Sequence, residues 1–524
     1  MSHFVKIVTL FSIILLLAIP KNLFPSSIRE ESVPKTSIPK ELRQIVDENR
    51  NIALPQPHLD IYDIMSGYRL HIDEEEDIRI AEILKLRLGQ NVKGWKIPFI
   101  IGNTKNNTVE DPLDILLTCK QMEEDICFLF ELLRYGYGSY QYIGGDNVFI
   151  PRKDSALKKL TDMCDPLHVS SFFMNIIDPS LTGLIKDYHF CLTNLSYVPW
   201  SHVPYMSSDF ILRNYEGSFF IEIDNVLYRI LEITQDSIPI NGILPTLTQE
   251  GEFAWVFGLI AEDRRQKVIE ISILFENIIT GEIHSKSVNL SNVAIPVQRD
   301  TPMISIRENN GVTIMENKTM YARSHEESTS FFHSATELRG KPVLIIDLRG
   351  NGGGQGGYPR HWFRLFTGYE PVGAMIFNYP NSKVSEALLG FDHTVESQTE
   401  LNSPIENFSE EWEFPPQIIP NDNLVIVLMD KNTASAAELF AGNLRRLENV
   451  LFVGTNTKGA LVSGNIGKTN LPHSNLEISF GTTLALRPDL SPFEGIGFMP
   501  DLYVPTGESL ERVLKFIERY GLAK

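Results

Sequence analysis

The chain has 524 residues, 43% of them hydrophobic, which is enough for about three globular domains. Its 66 acidic residues outnumber its 47 basic ones and give a formal net charge of −19. This excess of negative charge argues against a nucleic-acid partner, which would favour a basic surface. It suits a soluble protein that works outside the cytoplasm.

Residues 1–25 have the pattern of a targeting segment. His3 and Lys6 precede an apolar run of 13 residues, Ile7–Ile19, which ends before Pro20. This run is short for a membrane span and matches the apolar core of a signal peptide. We therefore predict export to the periplasm, the extracellular space or the cell surface. An uncleaved N-terminal membrane anchor is the alternative.

Residues 26–110 are predicted to form a linker and an N-terminal segment, because 26–57 are rich in proline, serine and charge. Residues 111–211 are predicted to form a helical domain, since apolar side chains recur there at helical spacing. All four cysteines lie within it: Cys119, Cys127, Cys164 and Cys191. In an exported protein they could form one or two disulfides in three full pairings, or remain as free buried thiols.

An aromatic and glycine-rich segment, 132–145, interrupts this helical pattern. Its side chains could line a peptide groove, although local packing is the commoner role of such aromatics.

Residues 212–299 change to short strand-like runs separated by turns. Within them, Ile240-Asn-Gly-Ile-Leu-Pro245 resembles a turn of PDZ modules, and 281–288 resemble their closing strands. A PDZ domain binds a peptide C-terminus by adding it as a strand to a sheet edge. The usual carboxylate-binding loop is not evident, so we predict a divergent PDZ-like insert.

Residues 300–524 are predicted to form an α/β core, because apolar strand-like runs alternate there with helical segments. The strands are expected near 313–315, 343–348, 425–428, 451–454 and 476–486. An amphipathic helix, 509–520, closes the chain.

A small-residue turn, Thr433-Ala-Ser-Ala-Ala-Glu438, follows the apolar run 423–430 and precedes a helical stretch. The free N–H groups and the positive dipole end of a helix N-terminus favour developing negative charge. A serine at such a position can act as a nucleophile. The alternative is that Thr433 or Ser435 only caps the helix.

A glycine-rich loop, Gly350-Asn-Gly-Gly-Gly-Gln-Gly-Gly357, follows the apolar run 341–349 directly. Glycines permit positive φ and close approach of the backbone, and successive N–H groups can converge on an oxyanion. The loop lacks the Gly-Lys-Ser/Thr ending of a P-loop and the spacing of a dinucleotide fingerprint. A purely structural glycine turn remains the alternative.

These segments together resemble the core motifs of the S41 peptidases, a family that includes the C-terminal processing (tail-specific) and tricorn-type proteases. The matching motifs occur in the family's order, at Ile346–Gly354, Thr433–Glu438, Val453–Gly459 and Gly495–Asp501. The resemblance implies a multidomain α/β protein with a ClpP/crotonase-like protease core, an N-terminal helical domain and the PDZ-like insert. It also implies a serine peptidase that acts on peptides or protein tails.

The family has two catalytic arrangements, and the processing branch pairs its serine with a lysine 25 residues later. Ser435 matches the serine of that branch, but the position 25 residues on is Ala460. Lys458 lies two residues earlier, about 6–7 Å away along a strand. A Ser–Lys peptidase using Lys458 is therefore an alternative only.

The tricorn-type branch uses a histidine from an upstream segment and a glutamate near the end of the core. By this resemblance His189, in what looks like a helix end at 181–191, is the base, and Glu494 is the supporting carboxylate. A neutral imidazole can take the serine proton, and a carboxylate can stabilise the imidazolium. Whether Glu494 acts directly or through another group stays open.

The oxyanion is expected to accept hydrogen bonds from the N–H groups of Ala436 and of Gly353 or Gly352. His202 is the second choice of base and His325 the third. No metal-binding pattern or cofactor motif is present. The alternative outside catalysis is a protein on the same scaffold that binds a peptide or a lipophilic ligand.

Overall fold

The computed structural model describes residues 37–68, 72–91, 115–163, 165–193, 195–197, 201–263, 268–292, 302–371, 374–378, 382–389 and 418–523. They belong to one contact unit of the chain, 36–524. The predicted targeting segment, 1–25, and Cys164 lie outside the described residues. None of the helices in the described ranges combines the length and the apolar character needed to cross a membrane.

The helices of the described part are α1 (Lys40–Ala53), α2 (Ile61–Gly67), α3 (Glu74–Asn91), α4 (Cys119–Gly136), α5 (Tyr140–Ile143), α6 (Asp146–Met163), α7 (Val169–Phe172), α8 (Asp178–Leu181), α9 (His325–Leu338), α10 (Gly357–Thr367), α11 (Lys383–Leu389), α12 (Ala436–Leu444) and α13 (Ser509–Arg519). A π-helical turn, Phe173–Ile177, joins α7 to α8.

The strands are β1 (Leu116–Leu117), β2 (Leu167–His168), β3 (Cys191–Leu192), β4 (Leu195–Ser196), β5 (His202–Tyr215), β6 (Ser218–Ile223), β7 (Val226–Gln235), β8 (Ile238–Pro239), β9 (Ile243–Leu247), β10 (Phe253–Glu262), β11 (Val268–Asn277), β12 (Ile283–Ser291), β13 (Ile304–Asn309), β14 (Val312–Asn317), β15 (Val343–Asp347), β16 (Ile376–Asn378), β17 (Leu424–Met429), β18 (Val450–Gly454), β19 (Ser463–Asn470), β20 (Glu477–Leu486) and β21 (Leu502–Tyr503).

The C-terminal part is built on a six-stranded sheet with the order β13-β14-β15-β17-β18-β21. All neighbours are parallel except β13, which pairs antiparallel with β14 at one edge. β15 and β17 are buried along their whole length, as expected for a parallel sheet covered on both faces. The predicted α/β fold class is confirmed.

Alternate side chains of these strands enter two different cores. Leu344 and Ile346 pack with Phe331 of α9, Trp362 of α10 and Phe440 of α12. The remaining side chains of the same strands pack on the opposite face against α1 and α13. The result is a three-layer core whose strand ends carry the loops of the candidate site.

The linker predicted across 26–57 is wrong for the part that is described. Residues 40–53 form α1, whose Leu42 and Val46 are fully buried against the core sheet. The guanidinium of Arg50 donates hydrogen bonds to three carbonyl oxygens just beyond α12, those of 445, 447 and 448. These long-range contacts, which local composition does not reveal, convert a polar segment into a structural helix.

A second sheet connects the N-terminal helical part to the core. Its order is β16-β20-β3-β4, with β19 paired to β20. The short strand β3 pairs antiparallel with β20, so that Cys191 and Leu192 lie opposite Ser479 and Ile478. Helices α4 and α6 share an apolar core with Phe480 of β20 and Val384 of α11. The residues just before β3 are thereby held against the C-terminal part of the chain.

The β-rich character predicted for 212–299 is present, but the strands begin earlier, at His202. Strands β12-β11-β7-β6-β5 form a ring that closes where Met206 of β5 meets Ser291 of β12. β10 and β9 extend from β5. No helix occurs among the described residues of this insert, and its likeness to a PDZ module stays a prediction.

Candidate active site

The turn that carries Ser435 lies between the end of β17 and the start of α12. Ser435 has φ 54° and ψ −122°, a conformation that is strained for any residue with a Cβ. Such a turn projects the side chain away from the sheet, as in other strand–turn–helix nucleophile turns. The side chain does not cap α12. Its Oγ lies 3.2 Å from Nε2 of His189.

The neighbouring Thr433 has a structural role. Its hydroxyl donates to the carbonyl of Leu348 at 2.8 Å and accepts from the N–H of Asp430 at 3.0 Å. These bonds join the ends of β15 and β17, from which the two loops of the site extend.

The glycine-rich loop packs directly against the serine turn. The N–H of Ala434 donates to the carbonyl of Asn351 at 2.9 Å. Gly353 has φ +95°, and a Cβ on it would lie 2.8 Å from the Cβ of Ser435 and 2.7 Å from the carbonyl oxygen of Ala434. Only glycine fits this contact without displacing the nucleophile turn. The loop is therefore built around Ser435.

One of the predicted oxyanion donors is already engaged. The N–H of Gly353 donates to Oδ1 of the fully buried Asn351 at 2.9 Å, so the expectation for Gly353 is not met by this geometry. Asn351 is itself fixed by Asn317, to whose backbone and side-chain oxygens it donates. Ala436 opens α12, and the N–H groups of a first helical turn have no intrahelical acceptor. Ala436 and Gly352 remain the proposed donors.

His189 lies in a turn between α8 and β3, and not at the helix end predicted, because α8 already stops at Leu181. Burial lowers the pKa of its imidazole. The carboxylate of Asp187 and the backbone of Ser463 act in the opposite direction, whereas the ammonium of Lys458 lowers this pKa further. Its Nδ1 makes no hydrogen bond of normal length and angle with a described residue. The net effect favours the neutral ring, the form that can accept a proton.

Asp187 is the aspartate of the Asp-x-His pattern that this segment shares with the tricorn-type branch, and the resemblance assigned it no role. Its Oδ1 accepts the backbone N–H of His189 at 2.8 Å and lies 4.0 Å from the ring Nδ1. Its Oδ2 accepts the hydroxyl of Tyr137 at 3.0 Å. The sequence signal for this residue is the Asp-x-His spacing itself.

Glu494 is brought close to His189 but does not touch its ring. Its Oε1 accepts the N–H of Tyr188 at 2.9 Å, and its Oε2 accepts the N–H of Val462 at 3.1 Å. Burial, with a smaller contribution from the nearby Asp187, raises the pKa of Glu494 well above its ordinary value. Glu494 therefore fixes the backbone of the turn that carries the histidine.

The alternative bases lie in other environments. The Nζ of Lys458 lies over the ring of Tyr188, 4.8 Å from its centroid. The Nδ1 of His202 lies 3.2 Å from the carbonyl oxygen of Gly495. His325 is the exposed first residue of α9. Among the hydrogen bonds of the described residues, the one made by the Ser435 hydroxyl is to His189.

Glu438 is the second residue whose role the sequence did not reveal. Its fully buried carboxylate accepts hydrogen bonds from the N–H groups of Ser435, Gly459 and Ala460 and from the hydroxyl of Thr457, at 2.6–2.9 Å. It therefore joins the serine turn to the loop that carries Lys458. The Ser-x-x-Glu spacing of a helix capping box was the available signal.

Comparison with known proteins gives one family match. Residues 311–504 match the model described as peptidase family S41, and this range contains all four motifs noted above. A search of curated proteins gave no match. Among solved structures, mature CPAF is 16% identical over 77% of this chain and 95% of its own, with a TM-score of 0.37. A photosystem II D1 C-terminal processing protease is 14% identical over 75% and 97%, with a TM-score of 0.35. The tricorn protease is 12% identical over 77% and 36%, with a TM-score of 0.30.

Proposed function

We propose that the chain, whose residues 311–504 match peptidase family S41, is a serine-type peptidase that cleaves peptides or protein tails with Ser435 as nucleophile and His189 as base. The observation that carries this proposal is the 3.2 Å contact between the Ser435 Oγ and the His189 Nε2. These residues are 246 positions apart in the sequence. The contact is within the distance at which an imidazole can take a hydroxyl proton.

The reaction follows from the positions of these groups. The Oγ of Ser435 attacks the scissile carbonyl carbon while its proton passes to Nε2 of His189. The N–H groups of Ala436 and Gly352 are proposed to stabilise the resulting oxyanion. The imidazolium then gives its proton to the leaving amine, and a water molecule, activated by the same ring, hydrolyses the acyl-enzyme.

Two features support histidine rather than lysine as the base. The lowered pKa of His189 keeps its ring neutral near pH 7, as a general base requires. Lys458 is held over the ring of Tyr188 and belongs to a loop anchored by Glu438. We assign Glu494 a positioning role, because it holds the backbone of Tyr188 next to the base.

The experiment is hydrolysis of internally quenched peptides and of a protein with an unstructured C-terminal tail by the purified full chain. Ser435→Ala is expected to lose turnover completely while keeping the thermal unfolding midpoint of the parent. The matched control is Ser287→Ala, at an exposed position of β12, which should retain full turnover. Hydrolysis by Ser435→Ala at the parent rate would contradict the proposal.

We propose in addition that residues 1–25 direct the protein out of the cytoplasm, on the basis of the apolar run 7–19 alone. The test is cell fractionation of the full chain and of a variant without residues 1–25, both carrying a C-terminal tag. Recovery of both proteins in the cytoplasm would contradict this proposal and leave the peptidase assignment untouched.

A further inference from the structure

We propose that Asp187, held by Tyr137, is the carboxylate that orients the His189 ring and stabilises its protonated form during catalysis. This inference rests on the proposed function and deepens it, because it adds a positioning residue to the Ser435–His189 pair. It assigns to Asp187 the role of supporting carboxylate, which the family resemblance implied for Glu494.

The position of Asp187 relative to the His189 ring supports this role. One carboxylate oxygen accepts the backbone N–H of His189, which fixes the carboxylate beside the histidine's own main chain. The same oxygen lies 4.0 Å from Nδ1. Hydrogen bonds of catalytic groups are often long in the free enzyme and shorten when the substrate is bound. A small rotation of either side chain would bring the two atoms into contact.

The hydrogen bonding of the ring nitrogen Nδ1 also supports this role. Nδ1 of His189 is buried and makes no hydrogen bond of normal length and angle with a described residue, although the backbone of Ser463 is close enough to raise the pKa of the ring. A buried polar atom without a partner is costly, and the cost rises sharply once the ring is protonated and Nδ1–H must donate. The Asp187 carboxylate lies 4.0 Å from this atom and can accept that hydrogen bond.

Asp187 is itself held in place by Tyr137. The hydroxyl of Tyr137 donates to its second oxygen, and the Tyr137 ring packs edge-on against Phe190 and Phe480. Burial raises the pKa of Tyr137 well above its ordinary value, so the hydroxyl remains a donor at all working pH values. Tyr137 belongs to the aromatic and glycine-rich segment noted in the sequence. We therefore assign to that segment the role of supporting the Asp187 carboxylate.

Glu494 does not fit the same task. Both of its oxygens accept backbone N–H groups, from Tyr188 and Val462, and its high pKa favours the neutral form. The nearby Asp187 adds to the effect of burial in raising the pKa of Glu494. Glu494 therefore holds the backbone of the turn, and Asp187 is the carboxyl group that lies beside Nδ1.

The pH dependence of kcat/KM separates the two carboxyls. The charged groups that act on His189 are Asp187, which raises its pKa, and Lys458, which lowers it. Glu494 and Glu438 act on the neighbouring Tyr188, whose pKa they help to raise. Activity rises with pH as the ring loses its proton. Removal of the Asp187 charge therefore moves this rise to lower pH.

The experiment compares pH profiles of the purified full chain and its variants. In Asp187→Asn the amide oxygen can still accept the His189 N–H, so the turn is preserved. We expect kcat/KM on the plateau to fall about 10²–10⁴-fold and the acid limb to move down by about one pH unit. Tyr137→Phe should lower the plateau about 3–10-fold and serves as the second variant if Asp187→Asn does not fold.

The matched control is Asp178→Asn. Asp178 accepts the hydroxyl of Tyr197 at 2.7 Å, so it copies the tyrosine–aspartate pair. The substitution keeps the Tyr197 carbonyl, which accepts the Asp187 N–H at 3.0 Å. It should leave the acid limb and kcat/KM unchanged. Glu494→Gln should lower turnover without moving the limb.

The inference would be overturned if Asp187→Asn had the same plateau value of kcat/KM and the same acid limb of the pH profile as the parent. It would also be overturned if the acid limb moved in Glu494→Gln and not in Asp187→Asn. If Asp187→Asn does not yield folded protein, parent kcat/KM in Tyr137→Phe overturns the inference. Ser435→Ala, measured in the same assay, distinguishes a failure of this inference from a failure of the proposed function. If it is inactive, such results remove only the role of Asp187, whereas hydrolysis by Ser435→Ala removes the proposed function itself.

Discussion

The turn that carries Ser435 and the turn that carries His189 are built in different ways. The serine turn joins two adjacent elements of the core, β17 and α12, and is held by the glycine loop of the neighbouring strand. The histidine turn belongs to the N-terminal part. It reaches the core through the pairing of β3 with β20 and through the two N–H groups bound by Glu494.

This difference shows where the site is robust and where it is vulnerable. The serine turn forms wherever the parallel sheet forms, because its contacts come from neighbouring strand ends. The base arrives only when the helical part is docked against the second sheet. Mutations that act on the two turns should therefore have separable effects on stability and on activity.

The largest effect is expected on the histidine side. His189→Ala removes the proton acceptor of Ser435, and we expect kcat/KM to fall about 10⁴-fold or more with little change in stability. Lys458→Ala is the comparison: it removes the ammonium over Tyr188, which also lowers the pKa of His189, and should cost at most about tenfold. Steady-state peptide hydrolysis measures both. The reverse ranking would favour a Ser–Lys mechanism.

The next effect tests the anchor of the serine turn. Glu438→Gln replaces a fully buried carboxylate that accepts four hydrogen bonds with an amide whose NH2 must face backbone N–H donors. We expect a loss of about 2–4 kcal/mol in the free energy of unfolding. Urea denaturation measures it, with the exposed Glu337→Gln on α9 as control. Equal stabilities of the two variants would remove Glu438 from this role.

A smaller effect distinguishes two adjacent glycines of the loop. A Cβ on Gly353 would strike the serine turn at a φ of +95°, whereas one on Gly352 meets no atom within 4 Å. We expect Gly353→Ala to lower kcat/KM about 10–10²-fold through displacement of Ser435. Gly352→Ala should stay within about threefold of the parent, because its N–H is retained. Indistinguishable kinetics would show that the close packing of Gly353 is not needed.

The smallest effect is a pH dependence of stability. Glu494 has a pKa raised by burial, so the folded protein holds a proton that the unfolded chain releases above about pH 4.5. Its contribution is fully present below that pH and is lost as the pH rises, by at most about 1.4 kcal/mol per pH unit. The stability difference between the parent and Glu494→Gln should therefore shrink from pH 4.5 to pH 7. A difference that grows over this range would contradict the raised pKa.

The sequence was most informative where structure is local. The apolar runs at 343–348 and 425–428 predicted buried strands, and the small residues that follow predicted the serine turn and the glycine loop. These features depend on neighbours in the chain, so residue patterns report them directly.

Long-range contacts account for the features that the sequence did not reveal. Leu42 and Val46 turn a polar segment into a buried helix only because the core sheet lies beneath them. Asp187 and Tyr137 are 50 residues apart, and their hydrogen bond has no sequence pattern. The pairing of Ser435 with His189 was predicted from a family resemblance alone, and the histidine's turn was mistaken for a helix end.

The most direct measurement of the central claim is labelling of the native full chain with a fluorophosphonate, with the modified residue located by peptide mass spectrometry. The account predicts one modified residue, Ser435, and a labelling rate that falls by orders of magnitude in His189→Ala and only slightly in Lys458→Ala. Modification at another serine, or labelling of Ser435 at the parent rate without His189, would contradict it.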